Sequence, residues 1–278
     1  ENESVKKIRE ELAKGTSTEE VLKYHSNRIY VLNFFGNKEA SQVEQFREEI
    51  SFLLQVAQPA DEVVVKLNSP GGVVQNYGLA SSQIARLRQH EIKCTVCVDL
   101  VAASGGYMMA AVADKIVAAP FAIIGSIGVA AGLPNFHRIL KKNEVDYFMF
   151  TAGKYKRTVT PLTEVTEEGQ EKMQQDLESI HQSFKKLIAD HRKEIDIEEV
   201  ATGEFWLAEE AKEKGLVDEI LTSDDYLFDK MKDFEIIEIT TEDSRNRIEK
   251  LLQGGIELFQ SFGRRTSLED SEIPGLIR

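Results

Sequence analysis

Three glycine-rich spots in this 278-residue chain stand directly after apolar, β-prone runs: "NSPGG" at 68–72, "ASGG" at 103–106 and "IGSIG" at 124–128. Glycine lets a backbone N–H approach a ligand where a Cβ would intrude. Two such N–H groups aimed at one point form an oxyanion hole for a tetrahedral intermediate. Gly72 and Gly105 are placed to supply one each, flanking Ser104. None of the three spots has the spacing of a dinucleotide- or phosphate-binding loop. Ser104 itself lies in "DLVAASGGYMMAAVADKIVAAP", residues 99–120, among alanines, glycines and methionines. Taken alone, that stretch suits a closely packed buried helix as well as a nucleophile at a helix start.

A nucleophilic serine needs a base. Of the five histidines, His90 ends an exposed helix, and His181 and His191 fall on a long charged one. His137 alone is placed like a triad member, about thirty residues downstream. Lys154 and Lys156 in "TAGKYKRT" are the other candidates. A lysine serves as a base only when desolvation or neighbouring charge lowers its pKa toward neutrality. A basic surface turn explains the same residues, so residue chemistry leaves the choice open.

The elements that must position these groups alternate. "RIYVLNFFG", "DEVVVKLN", "KCTVCVDL" and "DKIVAAP" read as strands, and "VDYFMF" and "FEIIEI" as further ones. Between them lie helical patterns, such as the one carrying Val43, Phe46, Ile50, Leu53 and Leu54. A long amphipathic helix is expected over 164–193 with its cap near Thr163, and "FWLAEEAKEKGLVDEI" reads as a helix ended by Gly215. Strand–helix alternation with short connections predicts a mainly parallel α/β sheet covered by helices. At the N-terminus, Ser17 and Glu20 have the spacing expected of a capping box. The expected organisation is a helical extension over 1–28, a main domain over 29–240 and an amphipathic tail over 241–278.

Composition narrows the function. A net charge of −13 with 42% hydrophobic residues describes an ordinary globular chain and argues against nucleic acid as a partner. No window reaches the ~20 continuous apolar residues of a membrane span. The chain opens on Glu1 and not on Met, which we read as a processed or truncated product. Cys94 and Cys97 are spaced C-x-x-C, but on a strand positions three apart face opposite ways. Buried core thiols are therefore expected, with no metal and no cofactor.

"NSPGG", "VAASGGYMMA", "GSIGV" and "AGKYKRTVTP", in this order, resemble the signal peptide peptidase A (protease IV) family of serine proteases. "TPLTEVTEEGQEKMQQDLESIHQSFKKLIADHR" and "VATGEFWLAEEAKEKGLVDEI" are similar to its SohB branch, and the likeness runs from about 28 to 235. The resemblance implies a ClpP/crotonase-like fold of repeated ββα units. It implies a Ser/Lys dyad: Ser104 attacks the peptide carbonyl, Lys156 is the base, and Ser126 orients the lysine amine. Gly72 and Gly105 would form the oxyanion hole. It further implies hydrophobic peptide substrates such as remnant signal peptides or membrane-protein fragments, a homo-oligomer, and a place at the inner membrane of the bacterial cell envelope, with the protease domain outside the cytoplasm. Membrane attachment would run through a segment absent from this chain. A crotonase-type acyl-CoA enzyme and a non-catalytic scaffold of the same fold are the alternatives.

Overall fold

Strands buried on both faces must be apolar almost throughout, and that is the character of "RIYVLNFF", "EVVVKLN" and "KCTVCV". The computed structural model describes Lys14 and residues 27–241. Within these, β1 (Arg28–Phe35), β2 (Glu62–Asn68), β3 (Lys93–Val98), β5 (Lys115–Ala118), β8 (Glu219–Ile220) and β9 (Glu235–Glu238) form one sheet in the order β8-β5-β3-β2-β1-β9. Every pairing in it is parallel. The crossovers include α1 (Val43–Val56) and α2 (Val74–Gln89). Phe46, Ile50 and Leu53 of α1, with Tyr77, Ile84 and Leu87 of α2, are buried against Leu32, Phe34, Val65 and Val96 of the strands.

A second, three-stranded sheet carries the chemistry. Its order is β4 (Val101–Ala103), β6 (Ile123–Gly125) and β7 (Phe205–Leu207), with β4 and β6 parallel and β7 antiparallel to β6. A parallel bridge between Ser69 and Ala102 ties the end of β2 to β4. After β4 comes α3 (Gly105–Ala111), every residue of which is buried. α4 (His137–Lys142) follows, and then α5 (Glu167–His191). Thr166 caps α5 by accepting from the Gly169 N–H at 3.1 Å, three residues later than the Thr163 expected from sequence. The remaining helices are α6 (Ile197–Val200), α7 (Ala208–Glu213) and α8 (Ser223–Lys230).

Two expectations need correction. Residues 145–150, "VDYFMF", are not a strand: they pair with no other segment among the described residues, and Phe148 and Phe150 stand 75% and 92% exposed. An apolar, β-prone run makes a strand only where an edge is available to pair with, and among the described residues none pairs with this one. Similarly, "FWLAEEAKEKGLVDEI" begins as strand β7 before turning into α7, because Trp206 pairs with Ile124. The cysteines lie as read: Cys94 packs into the main core and Cys97 into a smaller cluster with Ile29, Val31 and Tyr226. Burial pushes both thiols up, Cys97 to about 12. The capping box at Ser17 and most of the tail expected over 241–278 lie outside the described residues.

Candidate active site

Ala103 and Gly125 are register partners at the ends of parallel β4 and β6, and Ser104 and Ser126 each come one residue later. The Ser104 N–H donates to the Gly125 carbonyl at 2.8 Å, and the Ser126 N–H donates to the Glu204 carbonyl at 2.6 Å. Both serines have φ of +52°. A positive φ is uncommon outside glycine and costs free energy that the surroundings must supply. For Ser104 the supply is visible: its N–H is tied to β6, while its carbonyl accepts from the Met108 N–H at 2.9 Å and opens α3. Ser104 is thus the N-cap of α3, yet its side chain makes no capping hydrogen bond. Among the described residues that hydroxyl has no hydrogen-bond partner.

The "PGG" turn passes directly beside it. Gly71 has φ +86°, and a Cβ there would lie 2.7 Å from the Ala103 carbonyl oxygen, the Gly105 nitrogen and the Ser104 Cβ. A Cβ on Gly72 would meet the Lys38 carbonyl oxygen at 2.0 Å. Only glycine lets the turn run between these groups. Ser104, Ser126, Gly72 and Gly105 all line one cleft of about 790 Å³. Gly72 is exposed and Gly105 is the first residue of α3, where the N–H has no acceptor within the helix.

The cleft's far wall comes from α5. Leu177, Ile180, His181 and Phe184 line it at the i, i+3, i+4, i+7 spacing of one helix face. From sequence, His181 falls on a long charged helix. Yet its Nε2 is buried and has no hydrogen-bond partner among the described residues. His137 does not line this cleft. The helical period of α5 held the clue to the wall: Leu177, Ile180 and Phe184 fall on the same face as His181.

Lys156 is placed elsewhere. It is exposed and lines a second cavity, of about 780 Å³, with Phe136, Tyr147, Phe150 and Leu162. Lys154 is also exposed, ion-paired with Glu168 at 2.6 Å, and that carboxylate raises its pKa. The lysine that lines the Ser104 cleft is Lys38, exposed and adjoining Gly72. Sequence reasoning passed over it, because nothing local in "GNKEAS" marks proximity to residue 104. Around Lys156 the chain is unusually bare. α4 has no buried residue, and Leu133, Phe136, Ile139, Val145, Tyr147, Phe148, Phe150 and Tyr155 are all exposed. No described helix is long and apolar enough to cross a membrane.

Comparison with known proteins bears on this arrangement. The profile of peptidase family S49 matches residues 86–236, and that of the family's N-terminal region matches residues 1–84. The chain is 51% identical over 264 residues to the probable protease SohB of Haemophilus influenzae, covering 95% of this chain and 70% of that protein. It is also 51% identical over 212 residues to the probable protease SohB of Buchnera aphidicola from Schlechtendalia chinensis, covering 75% of this chain and 70% of that one. Among solved structures it superposes on a membrane-bound stomatin-specific protease with a TM-score of 0.52 at 15% identity, covering 78% of this chain and 99% of that one. The ClpP-like fold follows from that likeness and from the parallel sheet.

Proposed function

The chain belongs to peptidase family S49 and is a protease, and from that premise we propose that it is a serine endopeptidase working through Ser104 and Lys156. The observation that carries the reading is Ser104 itself: a strained serine with a free hydroxyl, at a helix N-terminus, beside two glycine N–H groups in one cleft. Ser104 Oγ attacks the scissile carbonyl carbon, and its proton passes to the neutral amine of Lys156. The carbonyl oxygen becomes an oxyanion, which accepts from the Gly72 and Gly105 N–H groups and gains from the positive end of α3. Collapse of the tetrahedral intermediate breaks the C–N bond. The protonated lysine gives its proton to the leaving amine, and an acyl-serine remains. Water, deprotonated by the same lysine, then hydrolyses the ester. Ser126 holds the lysine amine by a hydrogen bond.

Lys156 lines a different cavity from Ser104 within one chain, and its surroundings are apolar and exposed. These two facts support a homo-oligomer in which Lys156 of one copy enters the Ser104 cleft of the next. Entry would bury the amine against Met108, Ile180 and Phe184 and so favour its neutral form. The apolar cleft walls support hydrophobic peptide substrates. Membrane association and a place in the cell envelope belong to the same reading, carried by the family resemblance.

A second reading has one observation in its favour: Lys38 lines the Ser104 cleft of its own chain and would serve as the base without a neighbour. Labelling with a serine-reactive phosphonate tests the shared core of both readings. We expect a single adduct on Ser104 and loss of cleavage of an apolar reporter peptide. An unlabelled, fully active protein overturns the assignment.

A further inference from the structure

Behind the glycine turn runs a chain of buried hydroxyls that the reaction scheme does not use. The Gly71 N–H donates to Ser69 Oγ at 3.1 Å. Ser69 Oγ and Tyr77 Oη are 2.5 Å apart, and Tyr77 Oη donates to the Asn37 carbonyl at 2.7 Å. Tyr77 has a single proton, and the Asn37 carbonyl takes it, so Ser69 must donate to Tyr77. The direction is therefore set throughout: Gly71 N–H to Ser69, Ser69 O–H to Tyr77, Tyr77 O–H to Asn37. Burial raises the Tyr77 phenol further above its ordinary value, which keeps that proton in place. Both side chains are wholly inaccessible to solvent.

The same two residues touch the other half of the oxyanion hole. A Cβ on Gly105 would lie 2.4 Å from Tyr77 Cγ, so the root of the ring is packed directly against that residue. The Ser69 carbonyl accepts from the Ala103 N–H at 3.1 Å, one residue before the nucleophile. A Cβ on Gly106 would come within 2.5 Å of that carbonyl. Gly36 completes the enclosure: a Cβ there would strike Ser69 Oγ at 2.3 Å and Tyr77 Oη at 2.4 Å. None of these three glycines could carry a side chain without displacing Ser69 or Tyr77.

We propose that Ser69 and Tyr77 are positioning residues for the peptidase reaction. The hydroxyl chain fixes the Gly71–Gly72 turn, the Tyr77 ring fixes Gly105, and both N–H donors stand ready before substrate arrives. A preorganised oxyanion hole costs no reorganisation during reaction, whereas a displaced donor loses most of its effect. The inference rests on the Ser104 reading given above.

Tyr77→Phe and Ser69→Ala, singly and together, test it, with cleavage of an apolar reporter peptide and phosphonate labelling as readouts. Each single variant is expected to lower kcat about 10- to 100-fold while KM stays within about threefold. Phosphonate labelling should slow in parallel, because its adduct also carries an oxygen into the hole. The double variant should be no slower than the worse single one, since either change breaks the same chain. Peptide binding, measured on the Ser104→Ala background, should be unchanged. Normal kcat with a lowered melting temperature in the variants would make the pair merely structural and overturn the proposal. So would fully additive losses. If Tyr77→Phe does not fold, Ser69→Ala carries the same kcat-against-KM test alone. A wild type that neither cleaves nor labels at Ser104 overturns the protease mechanism and this inference together. Labelling at equal rates in wild type and variants overturns this inference only.

Discussion

Ser104 and Ser126 occupy the same place on neighbouring parallel strands, each one residue past the paired ends Ala103 and Gly125 and each with φ of +52°. Twenty-two positions of sequence separate them, yet they sit side by side because β4 and β6 are in register. The repetition gives one cleft two hydroxyls on strained backbone, and in the proposed mechanism one attacks while the other orients the base. Their roles should separate in kinetics. Ser104→Ala should lower cleavage by at least ~10³-fold, whereas Ser126→Ala should lower kcat by ~10–100-fold and leave labelling of Ser104 measurable. Equal losses from both would contradict the division.

Separate placement of Lys156 and Ser104 leads to a test by mixing. Ser104→Ala and Lys156→Ala proteins should each be inactive alone. Combined and allowed to exchange subunits, they should regain up to about a quarter of wild-type activity, since some sites would pair an intact Ser104 with an intact Lys156. Activity assays before and after exchange measure it, and no recovery despite proven exchange argues against assembly across copies.

Lys38 and Lys156 are distinguished by substitution to Met, which keeps the length and removes the charge. Lys156→Met should abolish cleavage, and Lys38→Met should retain kcat within a few-fold. The reverse pattern would make Lys38 the base within its own chain. The Lys38 contact that shapes the site is its backbone carbonyl, which accepts from Val73 and is untouched by the change.

Gly71 admits no side chain. Gly71→Ala would combine a disfavoured φ of +86° with contacts of 2.7 Å to three groups around Ser104. The expected cost is about 1–3 kcal/mol in stability, accompanied by loss of activity. Urea unfolding and peptide cleavage check the two together, and a fully active alanine variant would show the turn to be misassigned.

Glu62 links sheet to helix far from the cleft. Its carboxylate accepts from Thr95 Oγ1 at 2.5 Å and from Tyr226 Oη at 2.6 Å, with Lys93 and Lys230 nearby. Burial is the largest influence and pushes its pKa up, but the two hydrogen bonds and two ammonium groups together outweigh it and leave the pKa lowered. A carboxylate with a lowered folded pKa stabilises the fold above its unfolded value, about 4.3, and loses that contribution as pH falls through the folded value. Glu62→Gln should therefore cost stability at pH 7, by about 1–3 kcal/mol, with the gap narrowing as the pH falls below the unfolded value. Urea midpoints at pH 7 and pH 3.5 measure this, and a gap independent of pH would refute it.

Much of the molecule was legible in residue order. Continuous apolar runs marked β1, β2, β3 and β5, because a strand covered on both faces has no polar side to show. Period two put Cys94 and Cys97 on opposite faces and ruled against a shared site. Glycines after strands marked where backbone passes close to Ser104. What residue order lacked was any measure of which distant segments meet. Lys38 and His181 entered the Ser104 cleft through contacts spanning 66 and 77 positions, and no local pattern encodes those. "VDYFMF" carried the apolar, β-prone composition of a strand but pairs with no edge among the described residues. Ser69 and Tyr77 are only eight positions apart, yet their hydroxyls meet because a strand end and the following helix fold back around Gly36. Local pattern set the kinds of groups and their order along the chain; packing decided which of them share one cleft, because proximity there is fixed by parallel register and helix docking over long stretches of chain.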